Sequence, residues 1–372
     1  MEFSFTQDQE TLRSSVREVL AERSTSTVIR DAMASATGTD EALWKQICDL
    51  GWPGVAIDEQ LGGLGLGLIE AAILSEELGR AVAPVPSFST LFLATPVVAE
   101  APRGETRDAF LRAVAAGEIR ATLALGQREG SYGPEGVTVE AARAGEGWTL
   151  SGVASLVPDA HLADRIIVVA RTGAESFGLF DVPASTLSSK PSPKDSLDGT
   201  RRLADVTFDG VTVPAEALLA DDWAVVARGL DRAAVLLAAE GVGVAERALE
   251  MAVAYAKERD QFGKKIGSFQ AISHMCADMM LAVESARSHV LYAAWALEEG
   301  TPDAHLAAAS AKAAAADAAR QVCYDAIQVH GGIGFTWEHD MHLLLRRGKF
   351  CELYLGDATA WRERVASLLA AS

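Results

Sequence analysis

The apolar periodicity of this chain changes twice, and that change constrains the fold more than any single motif. Six short segments rich in β-branched or alternating apolar residues lie between Arg120 and Trp223. They are Ala121–Gly126, Gly136–Glu140, Gly147–Gly152, Arg165–Ala170, Phe177–Val182 and Leu203–Val213. Gly, Pro, Asp and Ser separate them, which predicts an antiparallel β module of roughly 100 residues. Ser188–Gly199 reads as a polar, proline-containing loop within it.

On both sides the spacing is helical. Thr6 and Gln9 form a capping box ahead of Leu12, Val16, Val19 and Leu20, which share one helix face. Glu41–Leu50, Leu68–Gly79 and Phe110–Ala116 read as further helices. Beyond Trp223 the chain stays helical, through Val235–Tyr255, Phe269–Glu299 and Leu306–Gln328. The run Ala307–Ala319 favours helix by propensity, and its small side chains suit closely packed helices. The expected plan is α+β, with domains at 1–119, 120–221 and 222–372.

Composition narrows the function. Lys plus Arg number 33 against 51 Asp plus Glu, a net charge of −18 that disfavours a phosphate backbone as partner. Met1–Leu20 carries charges throughout and is not expected to be a signal peptide; no apolar run reaches spanning length. The four cysteines contain no CxxC pair and read as thiols in a reducing cytoplasm. His339 and His342 could share a cation, but no third ligand is near in sequence, so no metal is expected. The glycines of 62–67 fit no nucleotide fingerprint, and no nucleophile elbow, HExxH or P-loop is present.

Two helix-flanking segments carry the chemistry. Arg259-Asp260-Gln261-Phe262-Gly263-Lys264-Lys265-Ile266-Gly267-Ser268-Phe269-Gln270 combines a cation suited to a diphosphate with aromatics suited to a flat ring. Gln328-Val329-His330-Gly331-Gly332-Ile333-Gly334-Phe335 lets bare backbone approach an anionic ligand. With LGWPGVAIDEQLGG and EELGR nearer the N-terminus, RDQFGKKIGSFQAISHMCADM and QVHGGIGFTWEHD resemble the acyl-CoA dehydrogenase superfamily over nearly the whole chain.

The resemblance implies a helical domain, a middle β-barrel or sandwich and a C-terminal four-helix bundle. It implies FAD as cofactor, an acyl-CoA thioester as substrate and an electron-transfer flavoprotein as acceptor. In the family a glutamate removes the α-proton while the β-hydrogen leaves as hydride to the flavin. The FAD straddles two subunits, and the neighbour's helices hold its adenosine diphosphate half. By motif match, Arg259 and Gln261 fall at the diphosphate positions and Phe262, Phe269 and Gln270 beside them. Gln328, Gly331 and Gly332 match the glycine-loop contacts.

Other family features are lost. The stretch matching TEPxAGSD is Leu125–Tyr132, and the W-I-[TS] segment aligns with Leu156-Val157-Pro158. The two family positions for the base fall on Leu355 and Ala233, neither of which takes a proton. Glu240 and Asp357 are the substitute acids, although Glu240 lies about 10 Å along the helix axis from Ala233. The expected function is therefore that of a base-lacking subunit in a heteromeric α,β-dehydrogenase, clamping the adenosine end of FAD. A homologous partner would supply the rest, as in degradation of steroid side chains. The alternatives are a self-sufficient homo-oligomer using Glu240 or Asp357, and a relative with altered flavin chemistry.

Overall fold

A computed structural model describes residues 5–126 and 131–371. The chain divides into two compact units. The first draws its residues from Met1–Arg30, Leu68–Ala83 and Ala234–Ser372, the second from Asp31–Gly67 and Pro84–Ala233.

The first unit is helical. Helix α1 (Gln7–Arg23) starts at the expected capping box, with Gln9 N donating to Thr6 Oγ1 at 3.2 Å and Thr6 N to Gln9 Oε1 at 2.9 Å. Helix α2 (Ser26–Ala34) begins here, and α4 (Leu68–Arg80) packs against α1. The long α7 (Trp223–Glu258) contributes its residues from Ala234 onward. Helices α8 (Gln270–Glu299), α10 (Met341–Leu353) and α11 (Ala358–Ala371) all pack on α9 (Ala304–His330). Ala308, Ala309, Ala311 and Ala319 of α9 are fully buried, so the alanine run is what lets α9 pack tightly on its neighbours. Helices α4 and α7 cross at two glycines. A Cβ on Gly243 would lie 1.8 Å from the Glu76 carbonyl oxygen, and one on Gly79 2.2 Å from that of Glu240.

An ion network ties these helices together. Arg13 and Arg287 meet Glu76 at 3.3 and 3.0 Å, Arg17 meets Glu77 at 2.6 Å, and Arg80 meets Glu250 at 2.6 Å. Oxygens of Glu76, Glu77 and Glu246 lie within 4.8 Å of one another, but guanidinium groups already neutralise them.

The second unit holds α3 (Glu41–Asp49), α5 (Thr95–Ala99), α6 (Glu105–Ala115) and a curled sheet. Its strands are β1 (Ala121–Ala124), β2 (Glu140–Ala144), β3 (Gly147–Pro158), β4 (Arg165–Arg171), β5 (Phe177–Pro183), β6 (Pro193–Lys194), β7 (Leu203–Val213) and β8 (Leu218–Ala220). The order is β6-β7-β3-β2-β4-β5-β8, with β1 also on β4. Trp148 meets Phe180 edge-on at 5.3 Å in a core with Leu150, Val168, Val206 and Phe208.

The sheet is mixed, where the segment pattern predicted an antiparallel one. β1 runs parallel to β4, with Ala121 opposite Arg165, and β2 makes one parallel bridge to β4. Alternation of side chains reports burial and not strand direction, and the β2–β3 excursion supplies the crossover that a parallel pair needs. Gly136–Glu140 is not a strand: Pro134–Gly136 forms a 3₁₀ turn and the strand starts only at Glu140. A π-helical stretch, Phe88–Ala94, leads into α5 with every residue buried. It lacks a readable period because it is apolar on all sides. Among the described residues no helix is long and apolar enough to cross a membrane.

Candidate cofactor and base sites

At the end of α7 the chain folds into a hairpin of β9 (Asp260–Gln261) and β10 (Lys264–Lys265). Its two central residues, Phe262 and Gly263, have φ of +53° and +77°. Two positive φ values suit the twist of a two-residue hairpin turn, but only glycine adopts them freely. Phe262 is held in this disfavoured conformation with its side chain 91% exposed. Lys265 braces the hairpin through Asp260 at 2.7 Å and the Glu258 carbonyl at 2.9 Å. Phe269 packs edge-on to Phe262 at 6.1 Å, with the Lys264 ammonium 4.2 Å from its ring. Arg259, Gln261 and Gln270 are exposed, and the Arg259 guanidinium makes no ion pair among the described residues.

Helix α9 ends at His330, and Gly331–Phe335 forms a 3₁₀ turn. Gly331 has φ +63° and ψ −140°, a region open only to glycine. Gly334 is packed from within, since its Cβ would meet His330 Cβ and the Ile327 carbonyl at 3.0 Å. A Cβ on Gly331 or Gly332 would meet nothing within 4 Å, so bare backbone faces open space there. Gln328 is exposed one turn back.

The two segments meet through ring contacts. Tyr255 of α7 stacks on His330 at 4.7 Å and 26°, and His330 touches His339 at 4.5 Å. His330 Nδ1 lies 2.7 Å from the Ala326 carbonyl. Burial holds the pKa values of both imidazoles below the ordinary histidine value. The hairpin and the glycine turn therefore stand at neighbouring ends of α7 and α9. Phe335 and Trp337, 76% and 57% exposed, add apolar surface beside the turn, and the motif match gave neither a role.

The positions that matched the base are buried and apolar: Leu355 is 5% exposed and Ala233 0%. Leu355 has φ +63°, left-handed for a branched side chain. Glu240 is 1% exposed, and its Oε1 accepts from Arg347 Nη1 at 2.8 Å. Arg347, itself fully buried, also reaches the Ala83 carbonyl at 3.4 Å. Asp357 is exposed, and its Oδ1 accepts the Ala360 N–H at 2.9 Å, capping α11.

In the sheet unit, Leu156 sits at an irregularity between β3 and β7 with φ +55°, 37% exposed. Pro158 is buried and has no N–H to donate. Of the stretch Leu125–Tyr132, Gln127–Gly130 lie outside the described residues.

The model for the acyl-CoA dehydrogenase N-terminal domain matches residues 6–118, and that for the acyl-CoA dehydrogenase C-terminal domain matches 222–369. A Mycobacterium tuberculosis protein named acyl-CoA dehydrogenase IpdE2 is 35% identical over 92% of this chain and 91% of its own. The solved Tcur3481-Tcur3483 steroid ACAD is 33% identical with a TM-score of 0.90, covering 98% of both chains. The ChsE4-ChsE5 complex from M. tuberculosis is 28% identical with a TM-score of 0.92 over 100% of both chains.

Proposed function

The chain belongs to the acyl-CoA dehydrogenase family, FAD-dependent oxidoreductases acting on CH–CH bonds; on that premise we propose that it is the base-lacking subunit of a heteromeric acyl-CoA dehydrogenase. It clamps the adenosine diphosphate half of an FAD whose ring and base face belong to a homologous partner. The carrying observation is a contrast within the helical unit. The hairpin and glycine turn present an exposed cation, an outward phenyl ring and open backbone, whereas Leu355 is apolar and buried.

The residues present fit the adenosine diphosphate half. Arg259 would pair with the diphosphate, since its planar fork is free for a bidentate contact. Gln261, Gln270 and Gln328 offer amide donors on the same exposed ends, and Phe262 and Phe269 offer aromatic surface. Gly331 and Gly332 admit a ligand to the backbone itself. The segment Leu156–Pro158 carries neither the hydroxyl nor the indole that would back a flavin ring. When bound, FAD supplies the hydride acceptor of the dehydrogenation.

Both substitute acids already hold structural roles, which favours the base-lacking reading. A base must come within hydrogen-bond reach of its proton. The Glu240 carboxylate is committed to Arg347 in a buried pair, and Asp357 to a helix cap. The steroid and two-component names among the structural relatives support a bulky acyl-CoA as substrate and a two-chain assembly. A chain in a solved structure named for an electron-transferring flavoprotein is 27% identical to this one, which supports such a protein as electron acceptor. We also propose 1–119, 120–221 and 222–372 as the domains, which the two family matches support.

The test is turnover of acyl-CoA by this chain alone, by a homologous partner alone, and by the co-purified pair. Only the pair should dehydrogenate at full rate. Equal turnover by this chain alone would overturn the proposal.

A further inference from the structure

Leu355 holds a conformation that branched L side chains disfavour, with φ of +63°. Such a residue persists only where its surroundings over-determine it. Here they do. Lys312, in the N-terminal third of α9, is fully buried, and its Nζ lies 2.9 Å from the carbonyl of Cys351, 3.2 Å from that of Glu352 and 3.0 Å from that of Gly356. An ammonium has three N–H donors, and all three are taken by the carbonyls that close α10 and the turn after it. Trp361 of α11 donates its indole N–H to the Leu355 carbonyl at 2.9 Å. Gly356 is also left-handed, at φ +99°, and a Cβ there would come within 3.3 Å of that same indole nitrogen.

A helix can end far more simply, with a glycine in the left-handed position. This chain instead keeps a leucine there and buries a lysine to hold it. Fully buried lysines are rare, because the charge must leave water.

We infer that Lys312, together with Trp361, is a positioning residue that fixes the turn Tyr354–Asp357 and so the place of whatever side chain stands at 355. Glu352 and Asp357 carry the nearby negative charge, with the Cys351 thiol close by, and Glu352 in turn meets Arg320 at 3.6 Å and Lys349 at 2.5 Å. Burial pushes the Lys312 amino group down to about 8, so it still carries its proton at neutral pH. The functional meaning rests on the half-site reading: the site differs from a base-bearing one in the side chain and not in its scaffold.

The experiment follows the Trp361 indole N–H by NMR, assigned with Trp361→Phe, in the full chain. In Lys312→Met its hydrogen exchange should quicken at least tenfold. Leu355→Gly, which adopts the turn without strain, should couple to that change. In the double variant, exchange should be at least fivefold slower than the product of the single effects. Strict additivity would make Lys312 a core-packing residue and overturn the inference. Should Lys312→Met fail to fold, the native chain supplies the same test. Its Trp361 indole signal should move with a midpoint near 8 as the pH rises, in step with Lys312 deprotonation. An indole signal that ignores that titration would also overturn it. Flavin stoichiometry, on which the half-site reading stands, is a separate measurement, so the two can fail independently.

Discussion

Replacing Glu240 with glutamine separates a structural carboxylate from a catalytic one. In the native chain Glu240 and Arg347 are 1% and 0% exposed and meet at 2.8 Å. Glu240→Gln keeps an acceptor of the same size but removes the charge that the buried Arg347 guanidinium meets at 2.8 Å. Removing one partner of a buried ion pair costs about 3–5 kcal/mol. Against a typical total of about 5–15 kcal/mol, that is a large share of the stability. Glu240→Gln/Arg347→Met, which removes both charges, should recover most of it, because the stranded charge is what costs. Urea unfolding of the three proteins measures this. In the assembled pair the single variant should dehydrogenate within about tenfold of native, whereas losing a true base costs on the order of 10²–10⁴. A loss of that size with stability and flavin content unchanged would refute the reasoning. It would make Glu240 the base.

Arg259→Ala should weaken FAD binding by the pair roughly 10- to 150-fold, because a charge-assisted hydrogen bond to the diphosphate contributes about 1.5–3 kcal/mol. Arg259→Lys should rescue only partly, lacking the planar fork; a native-like affinity in the alanine variant, read by fluorescence titration, would remove Arg259 from the site. For pH, burial lowers the folded pKa of His330 and His339 below 6.5. The unfolded chain therefore binds more protons just below 6.5. Their contribution to stability is fully present above that pH and lost as the pH falls below it. His330→Phe, which keeps the stack on Tyr255, should flatten this part of the stability–pH curve. The same slope in both proteins would show that His330 does not contribute.

How much was legible in the sequence differed by element. The long helices were, because Thr6 with Gln9 marks a start and the alanines of 307–319 mark a packed face. The turn of β1 into a parallel pair with β4 was not, since period-2 burial is the same in either direction. Phe88–Ala94 escaped because a segment buried on every side has no amphipathic stripe to read. At the candidate site, the motif match nominated Arg259 and the glycines, whose role is still a proposal, but it did not show that Phe262 stands outward at a strained hairpin tip. That follows from the two-residue hairpin geometry. It also could not pair Glu240 with Arg347, since the two are far apart in sequence and joined only by the packing of α7 and α10. Lys312 did leave a signal, as the one basic residue in the alanine-rich stretch 307–319, but only the three carbonyls around it say what it holds.

The central claim is tested most directly by the flavin content of purified protein, read from visible absorbance against chain concentration. This chain expressed alone should carry clearly less than one FAD per chain, and the co-purified pair should carry one FAD per pair of unlike chains. A full equivalent of FAD in the isolated homo-oligomer would contradict the half-site account.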